Sequence, residues 1–471
     1  MKTRRSNRSN KLTARKNRFP STPRKFAPLK IVYLAIGSLH PDPRNPRIHS
    51  KEQIRKLVAI IRAMGFNVPL LINARGQIIA GHCRWLAAQE LGMEAVPTIL
   101  LEHLTEAQAR AFLIADNRLT EIATWDDQLL GEQLKLLSEA DLDFDLEVIG
   151  FDTPQIDLLI EGLGVSTSGT LDPADAVPEI SERPPVSRPG DQWNLGRHAL
   201  RCGDARVEEN FAHLMGKERA AVIFADSPYN VPIAGHASGL GSIKHADFAM
   251  ACGEMSGPQF KEFLSHIFRL LAAYSKDGAL HYLTCDWRHL EEFLAAGGMA
   301  YTELKHVSIW VKTNSGMGSF YRNSYEVVLI FKHGKGRHCN NIQLGKFGRH
   351  RSDVWTYPSP NSFAGRRTDE GNPLEWHATP KPVGLVADVL LDASARGDCV
   401  LDCFLGSGST LIAAERTGRR CFGMELDPKF VDVAIRRWQA FTGDRARHAA
   451  SGRVFDDIAA QLSQKGGRHG K

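Results

Sequence analysis

Two short polar segments contain the residue types that could do chemistry, and each directly follows an apolar run. The first is Asp226-Ser227-Pro228-Tyr229, after Ala220 to Ala225. The second is the Gly-rich segment Asp402 to Thr410, after Val400-Leu401. Carboxylate and carbonyl oxygens can orient a reacting amine and accept its proton, and a Gly-rich turn lets the backbone approach a ligand closely. Because parallel sheets gather such residues at the carboxyl ends of their strands, we expect the two segments to lie together.

The Gly-rich segment predicts a strand, turn, helix and strand unit that binds a nucleoside. Leu411 to Arg416 predicts a helix, and Arg420 to Met424 predicts a returning strand that ends in Glu425. Glu425 follows Gly408 at a spacing that suits a carboxylate holding ribose hydroxyls. The segment has no Lys for a P-loop, and Leu411 stands where a dinucleotide fingerprint has its third glycine. A pyrophosphate is therefore not the expected ligand.

The Gly-rich segment resembles the F-x-G-x-G-x-T cofactor motif of the amino-methylating DNA methyltransferases. The resemblance implies S-adenosylmethionine as the cofactor, with the backbone around the glycines near its methionine part and Glu425 on its ribose. The cofactor-binding residues expected in and around this motif are Asp402, Phe404, Gly406, Gly408, Thr410 and Glu425.

The first segment resembles the D-P-P-Y motif of the same enzymes, with Ser227 in place of the first proline. The resemblance implies that Asp226 and the backbone carbonyl of Ser227 accept hydrogen bonds from an exocyclic amine, which favours its reactive form. Pro228 and Tyr229 complete the catalytic set, with Tyr229 stacking on a base swung out of the duplex. Alone, such a tetrapeptide is more often a turn, but the cofactor motif in the same domain favours chemistry. Losing the first proline makes the loop less stiff and predicts slower turnover.

Further segments agree with the β group of these methyltransferases, in which the catalytic motif precedes the cofactor motif. Gly190 to Asp204 resembles the opening of the group and implies that Asp204 lies near the cofactor adenine. Tyr325 to Gly334 resembles a strand late in the catalytic half. His377 to Pro382 resembles the H-x-T-x-K-P segment, which implies that Lys381 neutralises the cofactor carboxylate. Each segment alone is commonly a turn, and their shared order is what favours the family.

A polar stretch over 335–376 mixes basic and aromatic residues with little periodicity. We predict it to be the target-recognition region, because such side chains contact the grooves and phosphates of DNA. The loop Val231 to Gly257 is expected to close over the flipped base. A solvated insertion is the alternative for both segments. The nucleic-acid-binding residues predicted in the stretch are Arg337, Arg351, Arg366 and Arg367.

The region 31–164 predicts a separate N-terminal α+β domain. Ile79 to Arg84 resembles the G-x-R-R turn of ParB-like domains, which implies that Gly81 and Arg84 bind a phosphate of a nucleotide or of DNA. Only one of the paired basic residues of that turn is present, and a capping role for Arg84 is the alternative. The expected elements are helices over Lys51 to Met64, Cys83 to Leu91, Glu106 to Asp116, Asp126 to Leu137 and Pro154 to Leu163, and strands over Val68 to Ile72 and Gln77 to Ala80.

Charge and composition divide the remaining chain. Residues 1–30 hold 11 Lys and Arg and no acid, which predicts a basic disordered tail that contacts DNA phosphates; a solubilising extension is the alternative. The Ser, Thr and Pro content of 165–190 predicts a linker. The region 191–445 alternates strands and helices, as a Rossmann-like parallel sheet covered on both faces does, and 446–471 is expected to be a C-terminal tail.

Composition excludes several classes of protein. With 471 residues, 43% of them hydrophobic, the chain is too long for one core, and two domains are expected. No apolar run reaches membrane-spanning length and no secretion signal is visible, so we expect a cytoplasmic protein with no membrane partner. The eight cysteines never form a C-x-x-C pair, so reduced thiols and no metal site are expected.

The combined pattern predicts an α/β enzyme that transfers a methyl group from S-adenosylmethionine to adenine N6 in DNA, assisted by a ParB-like module. The Asp in first place of the tetrapeptide favours adenine. Cytosine-N4 methylation by the same site is one alternative, and a ParB-like DNA-binding regulator with a decayed methylase half is the other. Double-stranded DNA is the expected partner, while a nucleotide at the ParB-like domain, a homodimer and a restriction partner stay open.

Overall fold

The computed structural model describes residues 28–162, 172–178, 180–181, 183–231, 253–313, 321–358 and 380–466. Its chain divides into two compact units. The first unit contains the chain up to Trp125 together with Asp143–Gly150, and the second contains Asp126–Leu142 and everything from Phe151 onward. No helix in the described part of the chain is long and apolar enough to span a bilayer.

The first unit is a small α+β domain built on a four-stranded sheet. The sheet order is β1-β4-β2-β3, with β2 parallel to β4 and the other two pairs antiparallel. Its core contains Leu39, Leu70, Ile78 and Val96, all at most 2% exposed. The elements are β1 Ile31–Ala35, α1 Lys51–Met64, β2 Leu70–Ile72, β3 Ile78–Ala80, α2 His82–Glu90, β4 Ala95–Leu100 and α3 Glu106–Ile122.

The helices and strands predicted for this unit are present with ends within two residues of the expected ones, except at the end of the third helix. Ser50 begins α1 by accepting the backbone N–H of Gln53 (3.1 Å), as an N-cap serine does. The third helix begins at Thr105, which forms a capping box with Gln108, but it continues beyond the expected end at Asp116. No glycine or proline interrupts the sequence between 106 and 122, so nothing local ends the helix earlier.

The second unit is an α/β domain with a ten-stranded sheet. Its sheet order is β11-β9-β10-β8-β7-β12-β13-β6-β5-β14. The elements are α4 Asp127–Glu139, α5 Thr153–Gly162, β5 Gln192–Leu195, β6 His198–Cys202, α6 Glu208–Met215, β7 Ala220–Ala225, α7 Gly257–Ala273, β8 Ser275–Cys285, α8 Leu290–Ala300, β9 Glu303–Lys312, β10 Tyr325–Lys332, β11 Val354–Tyr357, α9 Val383–Ala393, β12 Cys399–Asp402, α10 Ser409–Thr417, β13 Arg420–Glu425, α11 Pro428–Thr442, β14 Arg447–His448 and α12 Phe455–Gly466.

The centre of this sheet is parallel, which determines where polar strand ends meet. β8, β7, β12, β13 and β6 run parallel in that order, and β10 pairs antiparallel with β8 and β9. Helices cover both faces, with α9, α10 and α11 on one side and α7 on the other. The prediction of a Rossmann-like α/β sheet with a separate N-terminal α+β domain is confirmed. The carboxyl ends of β7 and β12 lie side by side.

Three boundary expectations differ from the structure. The helices α4 and α5 belong to the second unit, where Asp157 of α5 is buried against Arg419. The described residues of the expected linker 165–190 pack on the sheet domain, because Ala174 and Val186 are buried in its core. The expected tail 446–471 contains β14 and α12, since Phe455 packs edge-on against the buried ring of Trp193 at 5.3 Å. A buried ion pair accompanies the first difference, and apolar residues within polar surroundings account for the other two.

Candidate active site

The carboxylate of Asp226, directly after β7, accepts hydrogen bonds from three different elements. Its Oδ1 accepts the hydroxyl of Thr284 at the end of β8 (2.5 Å) and lies 2.7 Å from the hydroxyl of Tyr229. Its Oδ2 accepts Nζ of Lys381 (2.6 Å). A carboxylate has about four acceptor positions, so one position on Asp226 is left for a further donor.

A second carboxylate, Glu326 near the start of β10, joins the same network. Its Oε2 lies 3.0 Å from the Tyr229 hydroxyl and 3.3 Å from Nζ of Lys381, and its Oε1 lies 2.7 Å from Nζ of Lys312. Tyr229 has one hydroxyl proton, so it donates to one carboxylate at a time. Two lysines, the buried Lys381 and the half-buried Lys312, thus balance two carboxylates around a single tyrosine.

Burial and charge oppose each other in this network. Burial alone would raise the pKa of Glu326, but the charges of Lys381 and Lys312 lower it to about 2. Burial alone would lower the pKa of Lys381, and the two carboxylates reverse that effect and raise it. Burial and the neighbouring carboxylates raise the pKa of Tyr229 well above its ordinary value. Glu326 is therefore ionised, and Lys381 and Tyr229 are protonated, at neutral pH.

The loop that follows β7 is fixed at both of its described ends. Ser227 is 2% exposed, and its hydroxyl has no hydrogen-bond partner among the described residues. Asn230 adopts a positive φ of 53° and is buried. Its side chain accepts the backbone N–H groups of Gly253 (3.1 Å) and Met255 (3.2 Å) and donates to the carbonyl of Met255 (2.7 Å). Asn230 therefore ties the end of the catalytic tetrapeptide to the chain that precedes α7.

The Gly-rich segment after β12 is organised by Asp402. Its two carboxylate oxygens accept the hydroxyl of Thr410 (2.6 Å) and the backbone N–H of Phe404 (2.9 Å). Burial raises the pKa of Asp402 to about 7, although both hydrogen bonds act to lower it. Gly408 begins α10 with a φ of 89°, and a Cβ there would lie 3.1 Å from Cβ of Ala434. Only glycine suits that position.

Glu425, at the end of β13, holds the other side of the turn. Its carboxylate accepts the backbone N–H of Gly406 (2.8 Å) and of Asp427 (2.9 Å). Burial raises the pKa of Glu425. One cavity of about 970 Å³, measured to its open mouth, is lined by both polar segments. Its lining includes Asp226, Ser227, Pro228, Tyr229, Lys381, Asp402, Phe404, Gly406, Thr410 and Glu425.

Two residues expected at the cofactor have other partners. Lys381 lines the shared cavity, but its Nζ pairs with Asp226 and Glu326. Asp204 is held by the guanidinium of Arg206, with contacts of 2.7 to 3.1 Å, while its neighbours Gly203 and Ala205 line the cavity. Near Asp204, the wall of the cavity is therefore formed by the small residues Gly203 and Ala205.

Of the arginines predicted to bind DNA, one has internal partners, and DNA contact by the others stays a prediction. Arg351 faces inward, where its guanidinium donates to Asp388 (2.9 Å) and Asp392 (3.1 Å) on α9. Arg337 is exposed beside Gly278, roughly 20 Å along β8 from Thr284 at a strand rise of about 3.3 Å per residue. Neither arginine lies at the mouth of the cavity. Arg366 and Arg367 lie outside the described residues.

The phosphate site expected in the first unit has its elements in place. Gly81 adopts a φ of 100° at the N-terminus of α2, and the guanidinium of Arg84 lies so close that a Cβ on Gly81 would be 2.9 Å from it. Burial lowers the pKa of Arg84, and its Nε has no hydrogen-bond partner among the described residues. His82 accepts the backbone N–H of Asp42 (3.1 Å), which holds the preceding loop. Phosphate binding here stays a prediction.

Sequence reasoning missed several residues of the site. Thr284 and Lys312 end strands that carry no motif, and Glu326 was noted only as part of a strand. Glu326 did leave a signal, because an acid directly before a run of buried apolar residues needs a partner. Arg437 of α11 was also missed; it is buried and donates to the backbone carbonyl of Ser407 in the turn (3.1 Å).

Three family models match the chain in succession. The ParB N-terminal domain matches 23–117, the ParB-methyltransferase HTH domain matches 128–189, and the DNA methylase model matches 220–436. The chain belongs to the DNA methylases that carry a ParB-like domain. The DNA methylase match contains both polar strand ends and most of their partners.

Individual relatives of this DNA methylase match one part or the other. The ParB-like nuclease domain-containing protein YnaK of Escherichia coli (strain K12) is 48% identical over 80 residues, covering 17% of the chain and 92% of YnaK. The type II methyltransferase M2.DpnII of Streptococcus pneumoniae is 27% identical over 248 residues, covering 49% of the chain and 86% of that protein. A crystal structure of an M1.HpyAVI–SAM complex is 17% identical with a TM-score of 0.35, covering 51% of the chain and 98% of that protein.

Proposed function

We propose that this DNA methylase transfers the methyl group of S-adenosylmethionine to the exocyclic N6 of adenine in double-stranded DNA. The observation that carries the proposal is one cavity lined by the catalytic tetrapeptide and by the Gly-rich turn. β7 and β12 are neighbouring parallel strands, so their carboxyl ends hold a base and a cofactor within reach of each other. The family match and the type II methyltransferase relatives support the reaction class.

The residues of the cavity fit the cofactor. Gly408 has a positive φ and no Cβ, so a ligand can approach the backbone of the turn closely. Glu425 lines the same cavity, where its carboxylate can accept hydrogen bonds from ribose hydroxyls. Asp402 and Thr410 fix the turn, and Phe404 lines the same wall. When bound, the cofactor supplies an electrophilic sulfonium methyl group.

Asp226 acts on the amine. The free acceptor position of its carboxylate and the backbone carbonyl of Ser227 accept hydrogen bonds from the two N–H groups of the amine, which favours the pyramidal nitrogen. When the bound cofactor supplies its methyl group, Asp226 or water would accept the proton that the methylated amine loses. Lys381 and Thr284 hold the carboxylate during this step. Tyr229 offers its ring to the base while its hydroxyl stays in the acid network.

The proposal is tested by incubating the purified chain with methyl-labelled cofactor and mixed-sequence duplex DNA. We expect label in DNA, and nucleoside analysis should find it in N6-methyladenine. Label in N4-methylcytosine would move the assignment to the alternative base. No label would support the other alternative, a DNA-binding regulator whose methylase half is inactive.

Asp226→Ala is the decisive variant. Because the variant removes the acceptor for the amine, we expect methyl transfer to fall below about 1% of the wild-type rate. Cofactor binding, measured by calorimetry, should change by no more than about threefold, since the turn keeps its own contacts. Asp444→Ala removes an exposed carboxylate and is the control. Methylation by Asp226→Ala at the rate of this control would refute the assignment.

We also propose that the ParB-like unit binds a phosphate-containing partner, DNA or a nucleotide, through Gly81 and Arg84. The support is the positive φ of Gly81 at the start of α2 and the guanidinium that lies over it. Arg84→Ala should weaken binding of the chain to DNA or to a labelled nucleoside triphosphate, measured by filter binding, without changing turnover at saturating DNA. Unchanged binding of both ligands together with lower turnover would instead assign Arg84 a role in folding.

A further inference from the structure

A short segment outside the methylase match contacts residues beside the proposed active site at two points. We name the described residues of 172–187 the strap. It follows α5 and precedes β5, and it lies within the match to the ParB-methyltransferase HTH domain. Ala174 and Val186 of the strap are buried in the core of the second unit.

The first point is the start of α9. The carboxylate of Asp175 accepts the backbone N–H of Val383, the first residue of that helix, at 2.7 Å. Pro382 precedes the helix and has no side chain that could cap it, so the strap supplies the cap from elsewhere in the chain. Lys381 is the next residue back, and its Nζ lies 2.6 Å from Asp226. Asp175 therefore helps to fix the position of Lys381, because it holds the backbone of Val383 two residues further on.

The second point is the Gly-rich turn. The guanidinium of Arg437 donates to the backbone carbonyl of Ala174 (2.8 Å) and to the backbone carbonyl of Ser407 (3.1 Å). It also lies 3.3 Å from the hydroxyl of Ser409. Burial lowers the pKa of Arg437 to about 10, which is the mark of a charge held away from water. Arg437 thus joins the strap to the turn.

The strap is itself anchored on both sides of these contacts. Asp172 pairs with Arg416 of α10 at 2.6 Å. The backbone N–H groups of Val186 and Ser187 donate to the buried carboxylate of Asp432 at 2.7 and 3.0 Å. Buried ionic and hydrogen-bonded groups resist displacement because an unpaired partner would be left in the interior. The strap is therefore fixed where it meets Val383 and Arg437.

We propose that the strap is a positioning element of the methyltransferase, with Asp175 as the residue that sets Lys381 against Asp226. This inference rests on the proposed function, because it assigns a role in the same reaction. Removing the carboxylate would let the start of α9 shift, while the guanidinium of Arg437 keeps its hydrogen bonds to the backbone carbonyls of Ala174 and Ser407. A displacement of about 1 Å at a reacting group can lower turnover as much as about 100-fold. The effect should appear in kcat rather than in binding.

The test compares Asp175→Ala and Asp175→Asn in the full chain. Asparagine keeps an oxygen that can accept the N–H of Val383, whereas alanine does not. We expect Asp175→Ala to lower kcat by about tenfold or more, with the cofactor Kd and the DNA KM within about threefold of wild type. Asp175→Asn should recover most of the lost turnover. The control is Asp126→Ala, which removes the cap that accepts the N–H of Leu129 on α4 at 3.0 Å.

A second variant removes the same hydrogen bond from its donor side. Val383→Pro deletes the N–H at the first position of α9, where proline is tolerated in a helix. We expect it to lower kcat as Asp175→Ala does, and the double variant should lose no more than either single one, because both remove one interaction. If Asp175→Ala does not fold, Val383→Pro carries the test alone.

The outcomes separate this inference from the function on which it rests. If the wild-type chain transfers no methyl group, the proposed function is wrong. If wild type is active and both Asp175→Ala and Val383→Pro turn over as fast as Asp126→Ala, the positioning role is wrong. The role is also wrong if Asp175→Asn is as slow as Asp175→Ala, since a general loss of structure would then explain both.

Discussion

Lys381 has a different partner from the one that the motif implied. The H-x-T-x-K-P resemblance predicted contact with the cofactor carboxylate, whereas its Nζ lies between Asp226 and Glu326. Only 4% of its side chain is exposed, so both carboxylates depend on it for charge balance. We therefore expect Lys381 to act on the carboxylate of Asp226 rather than on the cofactor.

Lys381→Met should separate these two roles. The variant keeps the length of the side chain and removes its charge, so Asp226 loses its cation and turnover should fall by about 100-fold. The cofactor Kd should stay within about threefold of wild type. Lys312→Met is the matched control, because it removes the other cation from Glu326 and leaves Asp226 paired. A large rise in the cofactor Kd of Lys381→Met alone would restore the original assignment.

Sequence motifs predicted the residues that sit on the two strand ends, and missed those that come to them from elsewhere. Asp226 and Asp402 follow apolar strands, so their position could be predicted from local pattern alone. Thr284 reaches Asp226 from the next strand of the sheet, a neighbour that only the topology determines. Arg437 reaches the turn from a helix whose other residues show ordinary amphipathic spacing. Such contacts join residues that are far apart in the sequence, so no local sequence pattern predicts them.

At the scale of elements, the Gly-rich turn contains a carboxyl group, that of Asp402, whose titration makes the free energy of unfolding depend on pH. The pKa of Asp402 is raised to about 7, so the folded chain binds this proton more tightly than the unfolded chain does. Ionising Asp402 therefore lowers stability as pH rises from about 4 to about 7, and the loss is complete above that range. The full effect is at most roughly 4 kcal/mol.

Asp402→Asn removes this titration while keeping the shape of the side chain. We compare the free energies of unfolding of the variant and of wild type, measured with urea and without cofactor. The value of the variant minus that of wild type should rise across pH 4 to 7 and then stay level. Asp444→Asn, at an exposed site, should track the wild-type pH profile. A constant difference between Asp402→Asn and wild type over this window would show that Asp402 is ionised throughout.

The stretch over 335–358 shows why composition alone is a poor guide to whether a segment contacts DNA or packs inside the protein. Basic and aromatic residues with little periodicity suggested groove contact, yet Trp355 is buried on β11 and Arg351 pairs with α9. Asp388 and Asp392 are one helical turn apart on that helix and face Arg349 and Arg351 together. Two acids spaced by four residues in an otherwise apolar helix were the available signal.

At the scale of the whole molecule, the division into units predicts where the chain can be shortened. The second unit starts at Asp126 and includes α5, whose Asp157 is 1% exposed and pairs with Arg419 at 2.8 Å. A chain of residues 126–471 keeps this pair and the strap, so it should retain kcat at saturating DNA within about threefold. A chain of residues 191–471 loses both and leaves Arg419 unpaired, at a cost of about 3 to 5 kcal/mol.

Thermal unfolding and labelled methyl transfer, measured on both shortened chains, check this division. The longer one should unfold near the wild-type temperature and the shorter one well below it, with little turnover. Equal stability and equal turnover of the two would place the boundary after the strap, where composition alone had put it.

Asn230 separates the catalytic tetrapeptide from the chain between 232 and 252. Its side chain bonds to Gly253 and Met255, so the two flanks of that interval are fastened to each other at the base. Because these bonds hold the two flanks together, we expect substitutions between 232 and 252 to leave the position of Tyr229 largely unchanged. The chemistry of the tetrapeptide should then be insensitive to the sequence of that interval.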